Sequence, residues 1–316
     1  MSNIIILEYL TSKSKYDLEN KKIFSEAISL IKSVVRSFLS NDKLERVIIV
    51  QNSQIEIVRN NKTENFYTNT KKSLSSVLKK LPKYPTIFIA PEIRNISYNF
   101  QKKLERYLPV FHSHIEVNKI LSSKFETMRL LKEKNINHLG LSQKKNSKKY
   151  IIKSIYGTGS VNLRISKYYH SKHSEIVQDF QRGTKGSFLM LCSEKNFILV
   201  SCNKQIVKIS HDKIEQIGLI IGGLESEREQ IEILAKKIFT SIKGLFGLIG
   251  VDIIKIRNEW HVIEINPRFT SSFVGLLDCY DEDTIYQVTN LYLTKKLIIR
   301  SPQLKKKKRY FFYEIK

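Results

Sequence analysis

The sequence predicts an α/β fold that becomes α+β in its C-terminal part, and three observations carry that expectation. Over residues 1–113 short apolar runs alternate with stripes at helical spacing. After Leu141 short strand-like runs follow one another with polar turns between them. Near the C-terminus, Val251–Arg268 (VDIIKIRNEWHVIEINPR) reads as a hairpin whose acids fall opposite one another.

The N-terminal elements come in strand–helix order. Ile4–Leu7 is a short apolar run, and Ile23, Phe24, Ala27, Ile28, Ile31, Val34, Val35 and Phe38 then recur every three or four residues. Val47–Val50 and Ile87–Ala90 read as further strands, the latter between Pro85 and Pro91, and a helix is expected from about Tyr98 to Tyr107. Strands apolar on both faces and alternating with helices point to a parallel sheet, with ligand sites at the strand C-termini. Glu8 and Glu92 follow such strands; they could bind an amine, cap a helix or face solvent.

Ser123-Lys124-Phe125-Glu126 reads as a capping box opening a helix to about Lys134. Strands are then expected at Tyr150–Lys153, Val161–Ile165, Ile176–Phe180, Ser187–Cys192, Phe197–Cys202 and Gln205–Ile209. Ile231, Leu234, Ala235, Ile238 and Ile242 mark one helix stripe, with Gly244 as its stop. Without a linker rich in Gly or Pro, the parts should pack closely. The expected partition is an α/β domain at 1–113 and a second domain at 114–316, in lobes 114–180 and 181–316.

The formal charge of +24 favours anionic ligands and raises nucleic-acid binding. The lysines are dispersed, however, and only Lys305–Arg309 is a dense basic run, so no specific nucleic acid is expected. No apolar stretch is long enough to span a bilayer, and no signal-peptide pattern opens the chain. Cys192, Cys202 and Cys279 lack metal-site spacing, which suits free thiols in a reducing compartment. A soluble cytoplasmic protein is expected; its oligomeric state stays open.

Centring the hairpin on Asn258 sets Asp252 opposite Glu264, with Asn266 and Arg268 on the same face. Two carboxylates so close repel unless a cation neutralises them. With the Asn266 amide they form an oxygen set of the kind Mg²⁺ takes beside phosphates, with Mn²⁺ as an alternative. Arg268 adds a planar donor fork for phosphate or carboxylate. An edge hairpin with its acids in water fits the alternation equally well.

Gly250-Val251-Asp252 followed by Glu264-Ile265-Asn266-Pro267-Arg268 resembles the metal-binding end of the ATP-grasp superfamily. The likeness extends over nearly the whole chain and implies an ATP-grasp fold with a Rossmann-like N-terminal domain. Lys124 resembles the first phosphate-contacting lysine of that family. Lys153, before Gly157-Thr158-Gly159-Ser160, resembles the second lysine and the glycine loop that closes over ATP. Gln178-Asp179-Phe180 resembles the hinge that holds adenine. Lys185 stands about where many members place an acid for the ribose, which puts that contact in doubt.

Ile6-Leu7-Glu8-Tyr9, Ile89-Ala90-Pro91-Glu92 and Asn266–Ser272 are similar to the branch of amino-acid ligases acting in methanofuran and pyrrolysine synthesis. The resemblance implies an amide ligase working through an acyl phosphate, with glutamate and a tyramine- or tyrosine-like amine as the narrowest substrate expectation. In it Asp252, Glu264 and Asn266 hold Mg²⁺, Lys124 and Lys153 hold phosphates, and Arg268 stabilises the acyl phosphate or the tetrahedral intermediate. Small-molecule amine and amino-acid substrates are its implied partners. No general base stands out: His112, His114 and His261 qualify only by type.

Overall fold

The computed structural model describes residues 2–15, 21–142, 149–157, 163–170 and 172–311. Its first sheet is parallel, in the order β3-β2-β1-β4: β1 is Ser2–Glu8, β2 Leu44–Asn52, β3 Thr63–Thr68 and β4 Thr86–Ile89. Both faces of its central strands are buried, which is why these strands read as unbroken apolar runs. Strand β3 (TENFYT) was not expected; it is an edge strand whose polar residues pair with β2.

Helix α1 (Lys21–Leu39) buries Phe24, Ala27, Ile31, Val34, Val35 and Phe38 of the stripe expected of it and adds Leu30, while Ile23 and Ile28 are only half-buried. Ile4, Ile6, Val47, Ile49, Ile87 and Ile89 pack on one side in the same cluster. The opposite face, with Ile5, Leu7, Ile48, Val50 and Phe88, packs with Val77 and Leu78 of α2 (Leu74–Leu78) and Phe100 and Leu104 of α3 (Ile96–Leu104).

Helices α4 (Ile115–Leu121) and α5 (Lys124–Glu133) lead to a three-stranded antiparallel sheet, β6-β5-β7, with β5 at Tyr150–Ser154, β6 at Arg164–Ser166 and β7 at Glu175–Asp179. Beyond it lies a six-stranded sheet in the order β12-β11-β8-β9-β10-β13. Its strands are β8 Thr184–Cys192, β9 Phe197–Ile209, β10 Ile214–Ile221, β11 Gly247–Ile256, β12 Glu259–Asn266 and β13 Lys308–Phe311. One face packs on Ile231, Leu234, Ala235 and Ile238 of α6 (Arg228–Ser241). The other joins the α1 cluster through Leu189, Leu191, Val200, Leu219 and Leu248. Helices α7 (Leu276–Cys279) and α8 (Glu282–Thr294) complete that cluster with Leu276, Cys279, Val288 and Leu291. One apolar core therefore runs from the parallel sheet into the large antiparallel one.

Two strands expected at Phe197–Cys202 and Gln205–Ile209 are one continuous strand, β9. The polar Asn203 that suggested a turn is fully buried: its Nδ2 donates to Ser201 Oγ at 3.1 Å, and its Oδ1 accepts from Gly222 N at 3.1 Å. The chain turns later, at Ser210–Lys213, into β10, which was not anticipated. The three cysteines are buried and unbridged. Among the described residues no helix is long and apolar enough to cross a membrane.

Candidate active site

The hairpin β11–β12 pairs Asp252 with Glu264, the expected partners, by a different route. The turn has only two central residues, Arg257 (φ 47°) and Asn258 (φ 68°), both left-handed as a tight hairpin turn requires. Glu259 already belongs to β12, opposite Ile256. That centre alone would bring Ile263 opposite Asp252. A register shift between Asp252 and Ile253 adds one residue on the β12 side and restores the acid pair. Consecutive Ile263 and Glu264 consequently line the same cavity. Two strands away Gln205 Nε2 donates to Asp252 Oδ1 at 2.7 Å.

That cavity lies between the two antiparallel sheets. From the small-sheet side come Lys124, Ile151, Lys153, Gly157 and Gln178; from the large sheet come Lys185, Gln205, Gln216, Asp252 and Glu264. Ser123 caps α5 by accepting from Glu126 N at 3.3 Å, which places Lys124 in the first helical turn. The return half of the capping box does not form: the Ser123 N–H donates to the Ile120 carbonyl at 3.1 Å, and the Glu126 carboxylate pairs with Arg129 at 3.3 Å. Lys124 Nζ reaches Glu264 Oε1 and the Gly157 carbonyl, each at 2.5 Å.

Lys153 is 6% exposed on β5 and makes no ion pair among the described residues. Burial, then the Lys124 charge, lowers its ammonium to about 7. Burial lowers Lys185 to about 8. Asp252 goes the other way, to about 7, through burial and then the repulsion of Glu264. Three lysines thus crowd one cavity in which one carboxylate is itself disfavoured as an anion. A polyanion carrying a divalent cation would relieve both imbalances.

The adenine-side expectation divides. Gln178 is 1% exposed; its Nε2 donates to the Leu139 carbonyl at 2.5 Å, while its buried Oε1 has no partner among the described residues and could accept a ligand N–H. Asp179 lines a separate surface hollow and accepts from Ser142 Oγ at 2.8 Å, and the Phe180 N–H bonds to the Lys149 carbonyl at 3.0 Å. Neither lines the cavity with Gln178. Thr158, Gly159 and Ser160 lie outside the described residues.

A second cavity opens beside the first, against β1, β4 and α1. The two share Gln205, Gln216 and Asp252. Asn266 and Arg268 line this second cavity, with Glu8, Glu26, Leu10, Ile23 and Ile89. The buried Asn266 side chain makes no hydrogen bond with a described residue. Gly250, its partner on β11, is needed for the close return of the chain, since a Cβ there would lie 2.4 Å from Thr270 Cγ2.

Arg268 is held in place by an ion pair. Its Nε and Nη2 donate to the two oxygens of Glu92 at 2.7 and 2.6 Å, with Glu92 only 1% exposed. Glu92 is thus tied to Arg268 and lines neither cavity. Glu8 is 2% exposed, accepts from Thr11 N at 2.7 Å and is pushed up to about 7 by burial.

None of the three candidate histidines lines either cavity. His112 stacks on Phe88 at 4.4 Å, where burial lowers it to about 4. His114 caps α4, and His261 Nδ1 lies 3.1 Å from the Glu259 carbonyl.

Gln205, Gln216 and Glu26 were missed. The glutamines lie on β9 and β10, where the strand boundaries were misread. Glu26 did leave a signal: three residues after Ile23 and four before Leu30, it lies on the edge of the apolar stripe of α1.

Among the described residues no group of three His, Cys, Asp or Glu side chains could hold a metal. The hairpin offers two acids, so a cation there would take Asn266 as its third protein ligand. The repulsion that Glu264 exerts on buried Asp252 makes this oxygen set fit a hard dication.

Residues 121–272 match the ATP-grasp domain family. The chain is 26% identical over 287 residues to tyramine–L-glutamate ligase of Methanocaldococcus fervens, covering 86% of this chain and 89% of that one. It is 28% identical over 286 residues to the ligase of the same name from Methanocaldococcus jannaschii, covering 86% and 84%. A crystal structure from Archaeoglobus fulgidus, described as of the ATP-grasp superfamily, superposes with a TM-score of 0.75 at 19% identity over 98% of this chain and 91% of that one. Residues 121–272 thus match an ATP-grasp domain, the ATP-grasp fold extends over nearly the whole chain, and over most of its length the chain is similar to ligases.

Proposed function

We propose that the protein joins glutamate to a tyramine- or tyrosine-like amine, as a carboxylate–amine ligase working through an acyl phosphate in a methanofuran-type cofactor pathway. The observation that carries this reading is the meeting of two cavities at Asp252, one rich in lysine and the other bounded by Arg268, Glu8 and Glu26. ATP in the first would direct its γ-phosphate towards a carboxylate in the second.

On this reading residues 114–316 bind the nucleotide, and residues 1–113 supply the far wall of the acceptor cavity. Lys124 and Lys153 hold the phosphates, and Gln178 Oε1 accepts from the adenine amino group. Asp252, Glu264 and Asn266 would hold Mg²⁺ or Mn²⁺, which neutralises charge developing on the transferring phosphoryl group. A carboxylate oxygen of glutamate attacks the γ-phosphorus and ADP departs. The amine nitrogen then attacks the acyl carbon, loses a proton, and inorganic phosphate leaves. Arg268, fixed by Glu92, stabilises the oxyanion at the acyl carbon with a donor that needs no reorganisation.

The test is incubation with glutamate, tyramine and Mg-ATP, following nucleotide and phosphate. Amine-dependent release of ADP and phosphate is expected; AMP and pyrophosphate would sink the acyl-phosphate mechanism.

A further inference from the structure

The second cavity has two kinds of wall. Leu10, Ile23, Ala27, Leu30 and Ile89 give it an apolar lining. Glu8, at the C-terminal end of β1, and Glu26, from α1, add two carboxylates. Glu8 is bonded through one oxygen to Thr11 N, and no described cation forms an ion pair with it. Glu26 is part-buried and has neither a hydrogen bond nor an ion pair with a described residue. The guanidinium at this end, Arg268, already spends two nitrogens on Glu92.

Burying ionised carboxylates without a counter-charge is unfavourable. Burial raises Glu8 to about 7 and shifts Glu26 in the same direction. Arg268, and for Glu26 also Lys22, offset only part of that cost; an ammonium entering the cavity supplies further counter-charge, and the apolar lining would take the rest of its molecule. An α-carboxylate on that molecule would instead bring a third negative charge against Glu8 and Glu26.

Resting on the ligase reading above, we propose that Glu8 and Glu26 bind the ammonium of a primary amine with an apolar body and reject amines that carry an α-carboxylate. Of the two acceptors left open by that reading, the arylethylamine is the substrate and the aromatic amino acid is not.

The experiment measures ADP release by the full chain with Mg-ATP and glutamate, comparing tyramine with tyrosine and 2-phenylethylamine with phenylalanine. A preference in kcat/KM on the order of 10²-fold for each amine over its amino acid is expected, since like-charge juxtaposition costs several kcal/mol. Glu26→Gln, at a part-exposed position and checked by its melting profile, should raise KM for tyramine about tenfold or more. Its KM for glutamate should stay within about twofold of the parent.

Equal or better use of tyrosine overturns this assignment while leaving the ligase reading intact. So does a Glu26→Gln change that falls on the KM for glutamate, because the carboxylates would then hold the α-ammonium of the acyl donor. Absence of ADP release with every amine overturns the ligase reading, and this assignment falls with it.

Discussion

The cavity between the two antiparallel sheets gathers three lysines around Asp252 and Glu264, whereas the cavity against the parallel sheet presents Glu8 and Glu26 beside an arginine already held by Glu92. One wall is short of anions and the other of cations, and the two meet at Asp252. The difference teaches how one basic chain can hold substrates of opposite charge side by side. A net charge of +24 describes neither cavity. Local imbalance, set by which strand ends face which space, decides what each can take.

The largest effect should come from breaking the Glu92–Arg268 pair, which joins two distant segments at the edge of the acceptor cavity. Glu92→Ala removes the bidentate partner of a buried guanidinium and is expected to cost about 3–5 kcal/mol of stability. Urea unfolding measures it. A loss under ~1 kcal/mol would mean that the pair is solvated and that Arg268 is available to swing.

In the other cavity the corresponding break is Lys153→Ala. Lys153 makes no ion pair among the described residues, so the fold should tolerate its loss while the phosphates lose a preorganised cation. A fall in kcat on the order of 10²–10³ is expected. Steady-state kinetics with saturating ATP separates this from a pure KM effect. An unchanged kcat would move Lys153 out of the phosphate site.

A third effect is a pH dependence from the acceptor side. The Glu8 carboxyl is raised from 4.5 to about 7, so the folded state holds its proton more tightly than the unfolded chain does. Its contribution is fully present below pH 4.5 and is lost as the pH rises through 7. At about 1.4 kcal/mol per pKa unit this amounts to roughly 3 kcal/mol. Asp252 shifts in the same direction, so the parent must be compared with Glu8→Gln, not read alone. Relative to Glu8→Gln, the parent should lose that much stability between pH 4.5 and 8. Parallel profiles would show that Glu8 is solvated.

The two cavities were unequally legible in the sequence for a physical reason. Lys124 sits beside its own cap, and Asp252 and Glu264 share one hairpin, so local spacing carried their relation. Even there the pairing was reached through the wrong turn, and only the added residue near Ile263 brings the two acids opposite each other. Glu8, Glu26 and Arg268 come from three segments that no local pattern connects, and their meeting depends on α1 lying between the parallel sheet and the large one. Gln205 was obscured by polar Asn203 in β9, which is buried and hydrogen-bonded to Ser201 and Gly222, and Gln216 lies on β10, a strand that was not anticipated. Periodicity reports which face of an element is buried, not what an outlying carboxylate on that face will meet.

The smallest effect tests whether local order at the lysine-rich cavity matters to function. Ser123→Ala removes the side chain that accepts from Glu126 N at 3.3 Å and leaves the return bond of the box unaffected, since that bond is not made. A stability loss of about 1 kcal/mol is typical for an N-cap serine. Because Lys124 follows immediately and its ammonium lies on Glu264 and the Gly157 carbonyl, fraying of this turn should also raise KM for ATP. The matched control is Ser73→Ala at α2, where Ser73 caps by accepting from Ser76 N far from either cavity. Equal stability losses with a KM change only at Ser123 would assign the cap of α5 a part in nucleotide binding. A KM unmoved in both would make it a fold element alone.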